Sequence, residues 1–242
     1  MEQQEREATK KLKASTWFLI TISTIFGLMF IGYAVMIYIG GHVVIHDAFI
    51  LPQTTIIQTE TGEVIAELYR QNRKYVPLDE IPQHVKDAYI AVEDRRFYEH
   101  AGVDVKSVVR SVVRNVSAMD KVEGASTITQ QLARNLFLSH DKTWVRKLKE
   151  VASAHYMERK YSKEEILELY LNAIYFGHGV YGIQKASEFY FSKDVTDLTL
   201  AEGAMLAGLA KAPNGYSPID YPEKALERRN LVLQAMEDAG MI

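Results

Sequence analysis

Between Trp17 and Gly41 the chain runs WFLITISTIFGLMFIGYAVMIYIGG without one charged side chain. At a helical rise of 1.5 Å per residue such a run crosses a hydrocarbon layer of roughly 30 Å. The pattern predicts a transmembrane helix over 17–41, with Trp17, Tyr33 and Tyr38 near its ends as interfacial aromatics. Two β-prone runs follow within 54–69 (TTIIQTETGEVIAELY), parted by Glu60-Thr61-Gly62-Glu63, which predicts a hairpin turning at Gly62. After Pro82 the apolar period changes from two to that of a helix. Val85, Ala88, Tyr89 and Val92 stand at i, i+3, i+4 and i+7.

Helix starts are written further along. Thr127 with Gln130, and Ser162 with Glu165, are capping-box pairs. The first precedes Ile128, Leu132 and Leu136, and the second precedes Ile166, Leu167, Leu169 and Tyr170. Pro213, Pro218 and Pro222 mark a loop before helical spacing returns from Leu226 to Met236. Between these elements, Val103, Val105, Val108, Val109, Val112, Val113 and Val116 are interleaved with Lys106, Arg110 and Arg114. That stretch reads either as a core helix with solvated charges or as a helix at a membrane interface. The pattern predicts a mainly α protein with a short N-terminal β-hairpin and one N-terminal transmembrane helix.

Charge then orients the chain. Arg6, Lys10, Lys11 and Lys13 precede the apolar run, and no Lys or Arg follows it until Arg70. The positive-inside bias predicts a cytoplasmic tail over 1–16 and everything after residue 41 on the outer face of a plasma membrane. Residues 42–81 read as an extracytoplasmic linker with the hairpin, and 82–242 as the folded domain. Across the 242 residues, Lys plus Arg (28) nearly balance Asp plus Glu (31), so no global field argues for a nucleic acid partner. Cysteine is absent, which removes disulfides, thiolate metal sites and Cys nucleophiles together.

Glu93 continues the line Val85–Tyr89 and emerges where the apolar stripe ends. A carboxylate at a helix C-terminus, partly desolvated, has its charged form disfavoured, which suits a general base. A solvated helix-end acid fits the same fragment. The segment after it, EDRRFYEHAG, packs acids, cations, aromatics and a His together. GASTITQQLARN puts Thr127, Gln131 and Arg134 on one polar face, at a helix start whose amides are expected to hold an anion. Arg146-Lys147-Leu148-Lys149-Glu150 adds a cationic turn with a second acid. His178 has no second ligand at metal spacing.

These segments, with ILELYLNAIYFGHGVYGIQKAS and LTLAEGAMLAGLAKAPNGYSP, resemble in order the five signature segments of the family 51 glycosyltransferases. That family comprises the glycosyltransferase domain of class A penicillin-binding proteins and the monofunctional peptidoglycan glycosyltransferases. The resemblance implies a lysozyme-like helical head with a small membrane-proximal jaw lobe, about residues 101–123. It implies lipid II and the nascent glycan strand as substrates, polymerised through β-1,4 links with inversion and release of undecaprenyl pyrophosphate. By position, Glu93 matches the catalytic base and Glu150 the second carboxylate, acting directly or through a divalent cation, Mg2+ or Mn2+; no organic cofactor is implied. Arg134, Lys142 and Arg146 match the cations expected at the pyrophosphate, and Thr127, Gln131 and Asn135 its hydrogen-bonding neighbours. Asp94, Phe97 and His100 match substrate-site positions that look more like organisers of the Glu93 segment. Arg134 departs from the pattern, since many relatives carry Lys there.

The resemblance also implies moenomycin as an inhibitor, membrane lipids as surroundings and cell-wall synthesis proteins as partners. Aromatics and glycines of the fourth segment, such as Tyr175 and Gly179, are candidates for a sugar groove. Relatives continue further, so the chain is expected to be truncated at its C-terminus. Ser117, Ser153 and Ser187 each lack Lys three residues on, whereas Ser139 and Lys142 match the Ser-x-x-Lys spacing of an acylation motif. Two rivals stay open: a lysozyme-like glycan hydrolase, and a non-catalytic scaffold for cell-wall enzymes.

Overall fold

The computed structural model describes residues 2–44, 51, 54–61, 64–68, 71–118, 124–138 and 143–242. Its first element is one unbroken helix, α1 (Glu2–Val43), whose part from Thr16 to Val43 is long and apolar enough to cross a membrane. Trp17, Phe26 and Phe30 are among its many exposed large side chains, so this stretch finds no core of its own in the protein.

The lower end of α1 is docked. Gly40 and Gly41 lie against α5 (Trp144–Glu158), where a Cβ on Gly40 would stand 2.8 Å from the Tyr156 Cβ. Two turns earlier, the Tyr33 hydroxyl accepts a hydrogen bond from Arg159 Nη1 at 2.8 Å, and its ring stands edge-on to His155. The anchor is therefore fixed to a helix of the folded domain at two levels.

Strands β1 (Thr55–Gln58) and β2 (Val64–Leu68) pair antiparallel, Thr55 with Leu68 and Ile57 with Ala66, with an irregularity before Gln58. Gly62, the expected turn residue, lies outside the described residues.

The helical body follows as α2 (Gln83–Glu93), α3 (Val105–Ala118), α4 (Ile128–Phe137), α5, α6 (Lys163–Ala173), α7 (Ile183–Phe191), α8 (Leu200–Leu209) and α9 (Pro222–Asp238). Helix α6 contributes Ile166, Leu167, Tyr170 and Leu171 to the core, all fully buried. Helix α2 sends in Val85, Ala88 and Tyr89, with Val92 half-buried at the edge. Residue 203 must be small where α8 meets α2: a Cβ on Gly203 would stand 3.0 Å from Val85 Cγ2. Capping boxes close the starts of α4 (Thr127, Gln130) and α6 (Ser162, Glu165), and a third, Thr199 with Glu202, opens α8. In α9 the apolar residues divide: Ala225, Val232 and Met236 are buried, while Leu226 and Leu231 face outward.

Helix α3 excludes one of the two readings of its valines for the described side chains. Val105, Val109, Val112 and Val113 are exposed, more than half of each side chain's surface in every case, so this is not a core helix. The side chain of Val116 lies outside the described residues, as do residues 119–123.

The turn after Glu93 returns the chain to α5 through Gly102, at φ +88°, where a Cβ would stand 2.9 Å from the Ala154 carbonyl carbon. Gly102→Ala is expected to destabilise the fold by about 2–3 kcal/mol, since both the backbone region and the contact penalise a side chain. Thermal unfolding in detergent measures this, and an unchanged midpoint would contradict the close approach.

Candidate functional site

Glu93 ends α2 and its side chain is 12% exposed. Its Oε2 accepts a hydrogen bond from Gln131 Nε2 at 2.8 Å, and its Oε1 faces Arg228 Nη2 of α9 at 3.8 Å. Gln131 is held from behind by the Tyr170 hydroxyl, which donates to Gln131 Oε1 at 3.3 Å. Burial, followed by the nearby Glu93 charge, pushes the Tyr170 phenol well above its ordinary range, so it stays a donor. The carboxylate is thus aimed from both sides, by an amide on α4 and a guanidinium on α9.

Asp94 lies one residue on and does a different job. Its Oδ2 accepts from the Ile128 backbone amide at 3.0 Å, and its carboxylate pairs with His100 Nε2 at 2.9 Å. The expected anion at the start of α4 is therefore this internal carboxylate, so the helix start is not an open anion site as the sequence suggested. Phe97 is fully buried, beneath Lys163 Nζ at 4.4 Å from its ring. His100, buried beside it, and Phe97 pack behind Asp94 and do not line this cleft, an arrangement that suits organisers of the Glu93 segment.

Arg96 ties this segment to α3. Its guanidinium pairs with Asp104, which also caps α3 by accepting from the Ser107 amide at 2.9 Å. Burial pushes the Asp104 carboxyl up, but hydrogen bonds from Arg96 and Ser107 outweigh it and hold the group well below the usual carboxylate range.

Two cavities meet at the start of α4. The larger, about 620 Å³, is lined by Glu93, Asp94, Thr127, Gln131 and Arg134, and by Arg110 and Arg114 of α3. The second, about 450 Å³, is lined by Arg134, Trp144, Arg146, Lys147 and Glu150. Ser126 and Arg134 border both.

Glu150 is 1% exposed and accepts from Arg146 Nη1 at 3.0 Å and from Lys147 Nζ at 2.5 Å. Lys147 also donates to Ser126 Oγ at 3.0 Å and Gln130 Oε1 at 3.2 Å, so it stitches α5 to the start of α4. Among the described residues no group of three His, Asp or Glu comes together. Glu150 offers a divalent cation a single carboxylate already in contact with two positive side chains. That donor set does not fit the expected metal, and no step is derived through one.

The other expected residues divide. Thr127 is buried and its hydroxyl donates to the Gly102 carbonyl at 2.7 Å, while Asn135 is exposed and lines neither cavity. Asn135 sits one position past Arg134, which turns it off the cleft face of α4. Lys142 lies outside the described residues. In the fourth segment Tyr170, Asn172 and Phe176 are fully buried, and Asn172 bonds the Val76 backbone at 2.9 Å. His178 is held by Ser217 Oγ at 3.0 Å. Tyr170, Asn172 and Phe176 are framework residues, while Tyr175 is half-buried and Gly179 exposed. The sequence does not single out Arg228, and it shows Lys147 only as part of the cationic turn before Glu150. The spacing of Lys147 to Glu150, i to i+3, was a usable signal, whereas nothing local to α9 points at Glu93.

A transglycosylase family model matches residues 61–237. Penicillin-binding protein 1F of Bacillus subtilis is 53% identical over 96% of this chain and 32% of its own length. Penicillin-binding protein 1A of Aquifex aeolicus is 47% identical over 79% of this chain and 26% of its own. The crystal structure of penicillin-binding protein 1A from Haemophilus influenzae aligns with a TM-score of 0.44 at 29% identity, over 79% of this chain and 18% of that one. The chain spans about a third or less of the length of these relatives.

Proposed function

Because the chain belongs to the transglycosylase family, the family 51 glycosyltransferases, we propose that it polymerises lipid II into peptidoglycan glycan strands at a membrane surface. The observation that carries this reading is the pairing of one aimed carboxylate, Glu93, with an adjoining cavity walled by Arg134, Arg146 and Lys147. A base alone would serve many glycan enzymes. A base beside a cationic cavity serves a reaction whose leaving group is an anion.

In this mechanism Glu93 takes the proton from the 4-hydroxyl of the acceptor's N-acetylglucosamine. That oxygen attacks C1 of the donor's N-acetylmuramic acid from the face opposite the pyrophosphate. The C1–O bond to the pyrophosphate breaks, undecaprenyl pyrophosphate departs, and the new link is β-1,4. The proton on Glu93 passes to solvent before the next cycle. Charge develops on the leaving oxygens, so the cations of the second cavity lower the barrier most. Gln131 and Arg228 hold the base in an attacking geometry.

Membrane attachment supports the same reading. The apolar run of α1 supplies an anchor, and the exposed valines of α3 supply an apolar face where the jaw lobe is expected to rest on the bilayer. The charge bias around the anchor supports an outward-facing domain. A hydrolase of finished strands would have no use for the cations around Glu150, because no pyrophosphate leaves.

Detergent-solubilised protein given labelled lipid II is expected to yield long glycan, and moenomycin is expected to block it. Cleavage of finished glycan without polymerisation of lipid II would replace this reading with the hydrolase.

A further inference from the structure

Arg228 of α9 stands between two cavities. On one side its Nη2 faces Glu93 Oε1 across 3.8 Å, beyond hydrogen-bond reach. On the other side opens a further cavity of about 480 Å³, lined by Tyr216, Glu227 and Leu231 as well as by Arg228 itself. The guanidinium therefore has room to turn away from Glu93, and another carboxylate, Glu227, to turn toward. Its Nε is buried without a hydrogen-bond partner among the described residues, so no acceptor at that atom fixes the plane of the group. Its aim has to come from packing.

Two contacts supply that packing. Gly208, buried in α8, lets the stem pass, since a Cβ there would stand 3.0 Å from Arg228 Cγ. Tyr216 covers the head: the guanidinium carbon stands 5.8 Å from its ring centre, within cation–π range. The ring is itself held in place. The Tyr216 amide donates to the Ala212 carbonyl at 3.0 Å, and the next residue, Ser217, is fully buried with its Oγ bonded to His178 Nε2 at 3.0 Å. We propose that Gly208 and Tyr216 are positioning residues for the transfer, forming a slot that aims Arg228 at Glu93 and keeps it out of the cavity beside Glu227. This rests on the reading of Glu93 as the base of a polymerase. Aimed in this way, the cation balances the Glu93 charge without donating a hydrogen bond to Oε1, which stays open to the proton of the acceptor hydroxyl.

Two measurements test the slot. A crystal structure of Tyr216→Leu should show the guanidinium turned toward Glu227, whether or not the protein polymerises lipid II. An Arg228 unmoved from Glu93 in that variant would overturn the proposal. In polymerisation assays Tyr216→Leu should lower kcat about 10-fold and leave the KM for lipid II near wild type. Tyr216→Phe keeps the ring face and should keep the wild-type kcat. Gly208→Ala should lower kcat by less, because the flexible Arg228 stem can partly yield. In an Arg228→Gln background, Tyr216→Leu should cost little more, since the group it aims is gone. A second loss of the same size there, equal losses in the Leu and Phe variants, a raised KM with kcat unchanged, or a lowered thermal midpoint with kcat unchanged would each count against the slot. Wild-type turnover tests the polymerase reading on its own, so failure of that reading and failure of the slot are told apart.

Discussion

Glu93→Gln is expected to remove lipid II polymerisation, with kcat lowered roughly 10²–10⁴-fold and substrate binding largely kept. The substitution changes no volume. The amide's one acceptor oxygen can keep the hydrogen bond from Gln131, and the position that turns to NH2 is the one facing Arg228 at 3.8 Å, where no hydrogen bond is lost, so the site's shape largely survives. The negative charge and with it the capacity to accept a proton from the incoming hydroxyl are lost. The effect should therefore fall on the chemical step, while moenomycin binding and thermal unfolding stay close to wild type. Single-turnover measurement with saturating lipid II gives the number directly. A variant that keeps more than about a tenth of the wild-type rate would remove Glu93 from the role of base, because general base catalysis contributes at least ~10²-fold where it operates.

Glu93, the proposed base, stands out in the sequence because three signals converge on it: the end of the Val85–Tyr89 stripe, an unusual density of charge and aromatics after it, and a matching ordered set of segments. Local codes were also reliable for helix starts. The capping pairs at Thr127 and Ser162 form the boxes their spacing implies, since that interaction spans only three residues. What stayed hidden was tertiary. Arg228 reaches Glu93 from the last helix, and no pattern within α9 distinguishes it from Arg229 beside it. The start of α4 looked like an open anion site because its neighbour, Asp94, is far along the chain and fills it only after folding. For α3 the periodicity defined an apolar face correctly but could not say what it faces. Exposure of Val109 and Val112 excludes the core reading, and exposure is a property of the fold.

Glu150→Gln is expected to lower kcat about 10²–10³-fold, although this carboxylate neither faces the base nor needs to move a proton. Its effect runs through the two cations it holds. Arg146 and Lys147 both bond it, and Lys147 also reaches Ser126 and Gln130, so the geometry of the cationic wall depends on one acid. A neutral amide has one acceptor oxygen where the carboxylate has two, so one cation must swing away and the developing charge on the leaving pyrophosphate loses a preset partner. Stability should fall as well, by about 1–3 kcal/mol; the partners' partial exposure keeps the cost below that of a fully buried pair broken open. Coupling separates this account from direct catalysis by Glu150. If the acid works by holding Lys147, then Glu150→Gln and Lys147→Met should be strongly non-additive, the double variant little slower than the worse single one. Multiplying effects would show that Glu150 acts on the substrate independently of Lys147, and the positioning account would then fail.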